Sequence, residues 1–171
     1  EDEVYDHSFR KLFVRVRKEL VNFSQQVDLR NTAPKVSPEE LKLWIEQDDS
    51  LILLDARNTY ETKIGKFQNA VCLSINHFRD FPRQLHEIEH LKDKKLVTYC
   101  TGGVRCEKLS AFLIEQGFKQ VYQLEGGILN YKQRISNSYF DGRCVVFDER
   151  MSISVNDSDH TKIISCCQHC H

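Results

Sequence analysis

Three short, continuous apolar runs set the tightest limit on how this chain folds: LILLDA (51–56), AVCLSI (70–75) and KKLVTYC (94–100). Uninterrupted apolar runs of this length are what strands covered on both faces require. VYQLEGG (121–127) supplies a fourth strand. Helical segments lie between and around them. SPEELKLWIEQ (37–47) offers Ser37 as N-cap, Pro38 at the first helical position and Glu40 to close a capping box, with Leu41, Trp44 and Ile45 as the buried stripe. VRCEKLSAFLIEQGF (104–118) has helical spacing through Val104, Leu109, Phe112 and Leu113, and Gly117 stops it. GILNYKQRI (127–135) is a final short helix. The alternation predicts an α/β fold, a mostly parallel sheet with helices on both faces.

Two outlying segments are predicted to add strands. KLFVRVRKEL (11–20) alternates Leu12, Val14 and Val16 with Phe13, Arg15 and Arg17, the pattern of a strand with one charged face. Residues 22–35 have no clear period and read as a connector. FDGRCVVFDERMSISV (140–155) offers one more strand before a polar run at 156–162 and a cysteine cluster. No internal repeat is visible.

At 171 residues the chain can bury one substantial core. A net charge of −1 gives no global pull toward nucleic acid, so such a partner would need a local basic patch. No apolar run approaches the length needed to span a bilayer. There is no n-region/h-region pattern at the N-terminus. The seven cysteines therefore read as thiols, catalytic groups or metal ligands in a reducing compartment, and a cytosolic location is expected. The start at Glu1-Asp2-Glu3 lacks Met and suggests a piece of a longer chain.

YCTGGVRCEK (99–108) carries the chemistry. Cys100 ends a strand, and a helix begins around Val104. Thr101, Gly102 and Gly103 can wrap so that backbone N–H groups point at the sulfur, because glycine permits positive φ and close approach. A thiol near a helix N-terminus and a cation, here Arg105, is lowered in pKa toward the reactive thiolate. The cradle would stabilise a thiolate, a persulfide or an oxygenated adduct. The other reading is a buried cysteine before a glycine turn. Sites at the carboxyl ends of strands are the rule for open α/β sheets.

Cys100-Thr-Gly-Gly-Val-Arg105 resembles the six-residue active-site loop of the rhodanese superfamily. LLDARNTYETKIGKFQNAVCLSI (53–75) resembles a second rhodanese signature, with Asp55, Arg57, Glu61 and Gly65 at its marked positions, and EGGILNY (125–131) resembles the closing helix. The match covers roughly 36–135. Phosphatase relatives need five residues between cysteine and arginine, and this loop has four, which argues against phosphate chemistry.

Further segments, most of them outside that span, point to one branch. FRKLFVRVRKELV (9–21), HFRDFP (77–82), GRCVVFDER (142–150) and the terminal CxxC together resemble the rhodanese-type tRNA uridine(34) hydroxylases. The departures are Val104, where isoleucine is frequent, and Tyr139-Phe140, where tryptophan is common. The resemblance implies 5-hydroxyuridine formation at the wobble position with molecular oxygen as co-substrate, Cys100 as the catalytic cysteine, and the tRNA anticodon loop as partner. It also implies a larger protein: 1–35 as the end of a preceding domain, 36–135 as the rhodanese domain, and 136–171 as an extension opening a cysteine-rich segment. A sulfurtransferase carrying a persulfide on Cys100 and a non-catalytic docking module are the alternatives. Docking needs neither Cys100 nor Arg105.

The remaining candidates are weighed against structural roles. Cys106 is a resolving thiol or a small helix-packing residue. Asp55 and Arg57 fit a capping Asp and an Arg tying loops together better than direct catalysis. Cys167 and Cys170, with His169 and His171 beside them, have half of a zinc-ribbon spacing, and the resemblance places the second pair beyond His171. A lone CxxC is a weak metal signal, and a tag or frayed end is the other reading. Arg15, Arg17, Lys18, Lys63, Lys66, Arg79 and Arg83 are candidate phosphate contacts or ordinary surface charges, and Phe78 and Phe81 are candidates to stack an unpaired base. No flavin, haem or two-His-one-carboxylate signature is visible.

Overall fold

The computed structural model describes residues 14–17, 19–135, 139–148 and 150–156. Strands β1 (Lys35–Val36), β2 (Ile52–Asp55), β3 (Gly65–Phe67), β4 (Val71–Cys72), β5 (Lys95–Tyr99), β6 (Gln120–Leu124), β7 (Phe140–Val145) and β8 (Ser152–Ser154) build two sheets. The central one is wholly parallel, in the order β1-β6-β5-β2-β4; the smaller one is antiparallel, β3-β7-β8. The helices are α1 (Pro38–Gln47), α2 (Thr59–Ile64), α3 (Val104–Glu115) and α4 (Gly127–Arg134).

The apolar runs are continuous because the central strands serve two cores. Leu54 and Leu96 face one core, with Leu109 and Phe112 of α3. Leu53 and Val97 face the other, with Leu41 of α1 and Ile128 and Tyr131 of α4. Helices thus cover both faces, as the alternation predicts. Each such leucine contributes about 1.5–3 kcal/mol through burial.

Local chemistry sets the helix ends. The Ser37 hydroxyl accepts the Glu40 N–H at 3.1 Å, and Pro38 occupies the first turn. Leu41 is fully buried, with Trp44 and Ile45 half-buried beside it. α3 stops where Gly117 turns to φ +87° and the Phe118 N–H reaches the Leu113 carbonyl at 3.0 Å.

Three expectations are corrected. Residues 14–17 are irregular rather than a strand, and Val14 and Val16 are fully exposed. Period-two alternation makes a strand only where a neighbouring ladder accepts it. The 140–155 segment holds two strands, β7 and β8, which pair antiparallel with each other (Arg143 opposite Ser154, Val145 opposite Ser152). Phe78 and Phe81, expected to stack a base, are buried in a 3-10 segment (Phe78–Glu87), where Phe78 packs on Phe23 at 5.0 Å. That contact also gives the connector a buried anchor.

Candidate active site

β5 delivers Cys100 to the carboxyl edge of the sheet, and the chain turns through Thr101, Gly102 and Gly103 into α3. Gly103 takes a left-handed φ of 87° as the N-cap of α3, and from there its N–H donates to the Cys100 sulfur at 3.1 Å. The start of α4 holds the loop from behind. Its Ile128 and Leu129 N–H groups donate to the Cys100 and Thr101 carbonyls at 3.0 and 3.1 Å. Only glycine permits this approach: a Cβ on Gly127 would stand 2.4 Å from the Cys100 carbonyl oxygen and 2.7 Å from that of Thr101. Gly127 also has a φ of +63°. Gly127→Ala is therefore expected to push the loop off its seat while the sheet stays folded. Peptide mapping after alkylation at neutral pH should show Cys100 reacting at least about tenfold more slowly as its thiolate population falls.

The sulfur sits in a positive, hydrogen-bonded setting. Cys100 is 2% exposed, and its thiol is pulled down to about 6. The neighbouring Cys106 thiol is the largest influence, donating toward the sulfur; burial opposes it, and the Arg105 charge assists. Burial pushes Cys106 itself well up, so in this pair Cys100 carries the negative charge and Cys106 the proton. Arg105 is not aimed at the sulfur alone. Its Nη1 and Nη2 donate to the two Glu61 oxygens at 2.7 and 2.8 Å, and Nη2 also reaches the Thr101 hydroxyl at 3.4 Å. Glu61 is fully buried and also accepts the Asn58 N–H at 3.0 Å. Burial works against the Arg105 charge, and Glu61 and Cys100 more than restore it.

Asp55 and Arg57 lie just behind this site. The Arg57 guanidinium is fully buried, gripping Asp55 through Nε (2.9 Å) and Nη2 (2.7 Å) and donating from Nη2 to the Gly65 carbonyl at 2.7 Å. Asp55 also accepts the Arg57 N–H at 3.0 Å. The pair ties the end of β2 to β3. A Cβ on Gly65 would stand 2.5 Å from Arg143 backbone atoms, so glycine at this position lets β3 and β7 meet.

Two cavities open beside Arg105. One, of about 370 Å³, is lined by the Cys100 loop and by Leu129, Val146, Phe147, Asp148 and Arg150. The other, of about 400 Å³, includes Asn58, His77, Arg79, Arg105 and Phe147. The β7–β8 turn thus walls the mouth of the site, a role nothing in its local sequence pattern signals. Of the candidate phosphate contacts, Arg79 lines a cavity. Lys63, Lys66 and Arg83 are exposed on the surface, and Arg83 lies 3.7 Å from Asp80. Arg15 and Arg17 stand on the exposed 14–17 stretch. Lys18, Cys167, His169, Cys170 and His171 lie outside the described residues. Among the described residues no group of three or more His, Cys, Asp or Glu side chains could hold a metal ion. No described helix is long and apolar enough to cross a membrane.

Comparisons with known proteins divide along the chain. The family model described as "Rhodanese-like domain" matches residues 37–134. The tRNA uridine(34) hydroxylase of Cytophaga hutchinsonii is 47% identical over 166 residues, covering 96% of this chain and 53% of its own length. The protein of that name from Staphylococcus carnosus is 45% identical over 168 residues, covering 95% of this chain and 53% of its own. This chain therefore spans about half the length of these curated relatives. Among solved structures, a rhodanese-like domain protein from Staphylococcus aureus matches with a TM-score of 0.50 at 24% identity, covering 57% of this chain and 90% of that one. A thiosulfate sulfurtransferase from Pseudomonas aeruginosa matches with a TM-score of 0.50 at 17% identity, covering 59% of this chain and 19% of that one. These two likenesses are of fold.

Proposed function

The chain belongs to the rhodanese-like domain family, and from that premise we propose that it is the thiol-bearing part of a tRNA-modifying enzyme that hydroxylates wobble uridine 34 to 5-hydroxyuridine. One observation carries this reading beyond the family: similarity to relatives named tRNA uridine(34) hydroxylase runs over 96% of the chain, well past residues 37–134. Sulfur transfer alone gives no reason for the flanking segments to follow those relatives.

Cys100 acts as the catalytic thiolate. The Gly103 N–H, the Cys106 thiol and the Arg105 charge hold the sulfur deprotonated near neutral pH. A thiolate so held can add to an electron-poor pyrimidine ring and is expelled again as the ring regains its double bond. One atom of the co-substrate, molecular oxygen, becomes the new hydroxyl, and an external two-electron reductant takes the other to water. Uridine 34 lies in a single-stranded loop, so its base reaches a recessed sulfur without opening a duplex. Asp55 and Arg57 serve as positioning residues through the sheet edge they lock.

The test is nucleoside mass spectrometry of tRNA from a strain lacking the complete gene, with and without the gene restored. Restoration of 5-hydroxyuridine and its derivatives is expected. If the modification is the same in both strains, the reading is wrong. A thiosulfate:cyanide assay then asks whether the cradle, which would equally hold a persulfide, serves sulfur transfer.

A further inference from the structure

Among the described residues, seven phenylalanines (Phe23, Phe67, Phe78, Phe81, Phe112, Phe118 and Phe140) are buried, and Phe147 is 65% exposed. A single exposed aromatic is ordinary on a protein surface. The position of this one is not, because Phe147 lines both cavities that flank Arg105, one of which contains Cys100. It stands on the β7–β8 turn, and that turn is firmly built. Asp148 accepts the Arg150 N–H at 3.0 Å and the Arg150 Nε at 3.0 Å, the Met151 N–H reaches the Asp148 carbonyl at 3.0 Å, and the Thr101 hydroxyl donates to the Val145 carbonyl at 3.4 Å. The ring is therefore presented to the site mouth just past the end of β7, whose last residue, Val145, accepts a hydrogen bond from the Cys100 loop.

We propose that Phe147 is the base-stacking residue of the site, its ring face receiving the unpaired pyrimidine that reaches Cys100, with Arg79 at the rim meeting an adjoining phosphate. The proposal rests on the tRNA reading above. It assigns to Phe147 the stacking that the sequence placed on Phe78 and Phe81, whose burial removes them from that task. An unpaired base is recognised in this way, because every base has a π-face and an aromatic ring desolvates it without needing a hydrogen-bond code. Arg79 is exposed and lines the cavity that holds Arg105; Arg150 lines the one that holds Cys100. Arg79 can therefore follow the backbone beside the stacked nucleotide, while the Arg150 guanidinium is held by Asp148 and steadies the turn.

The experiment uses the complete protein and an anticodon stem-loop RNA carrying either uridine or an abasic site at position 34. Phe147→Ala is expected to raise KM for the uridine RNA about 10- to 100-fold with kcat nearly unchanged, and Phe147→Tyr to restore KM to within about threefold. Phe147→Trp gives a second readout, taken as the difference from the wild-type signal, to which Trp44 of α1 contributes. The added fluorescence should be quenched by the uridine RNA and not by the abasic one. A wild-type protein that hydroxylates tRNA, with an unchanged KM in Phe147→Ala and equal quenching by both RNAs, overturns the stacking role and leaves the tRNA reading intact. A wild-type protein that makes no 5-hydroxyuridine overturns both.

Discussion

Cys100→Ser is expected to return no detectable 5-hydroxyuridine in the complemented strain, a loss of more than about 10³-fold, as when other enzymes lose their nucleophile. Serine nearly preserves size and can still accept the Gly103 N–H that now meets the sulfur at 3.1 Å. It cannot preserve charge: a hydroxyl stays protonated in a setting that draws the thiol to about 6. The variant should fold, since Arg105 keeps both hydrogen bonds to Glu61. An active and correctly folded Cys100→Ser would remove the thiolate from the mechanism.

The same depressed pKa fixes the direction of the pH response. Cys100 is protonated below about 6 and ionised above it, so the acid limb of the rate should rise through that value. Folding favours the thiolate, so its contribution to stability is present above the ordinary thiol range and is lost as pH falls through about 6. Ultraviolet absorbance of the thiolate, followed against pH in wild type and in Cys100→Ser, reads this titration directly.

What the amino-acid order revealed was whatever depends on near neighbours. Ser37 and Pro38 announce α1 because capping is settled within four residues. The strand, the glycine pair and the helix start announce the Cys100 loop for the same reason. Unbroken apolar runs betray the doubly covered sheet because both faces of β2 and β5 are dry. Period-two alternation at 11–20 misleads, since no local signal says whether a neighbouring strand exists to accept Val14 and Val16. β3 is three residues long, too short to show any period, and its partner β7 lies more than seventy residues away.

The site divides in the same way. Cys100, Gly103 and Arg105 form one local motif, readable as such. The partner that holds Arg105 is Glu61, 44 positions earlier, and it was visible only as part of a family resemblance. Phe78 and Phe81 looked available because a run containing Pro82 has no helical period from which to infer burial, and the 3-10 segment turns both rings inward. Phe147 was visible only as one position of GRCVVFDER, a segment of family resemblance, with nothing to single it out. Its importance comes from a hairpin that brings residue 147 to the mouth of a loop at residue 100.

Arg105→Met is expected to lower unfolding stability by about 3–5 kcal/mol, the range for breaking one side of a buried ion pair. The arginine side chain is 12% exposed and Glu61 is 0% exposed, so solvent cannot replace the lost partner. Glu61 would keep the Asn58 N–H, a neutral donor that does not replace a cation. The same change takes the positive charge from beside Cys100, so the thiolate titration must move upward. Glu61→Gln separates these two effects. It should weaken the fold, because the Arg105 charge loses its carboxylate, yet leave Cys100 ionised at neutral pH, because the cation stays beside the sulfur. The double variant Glu61→Gln/Arg105→Met removes both charges and should recover much of the stability that either single change loses, while Cys100 remains raised. Urea unfolding and thiolate absorbance on the three variants read the two effects independently. If Arg105→Met leaves the Cys100 titration where it stands in the wild type, Arg105 is a structural clamp for Glu61 alone, and the thiolate is held by Gly103 and Cys106.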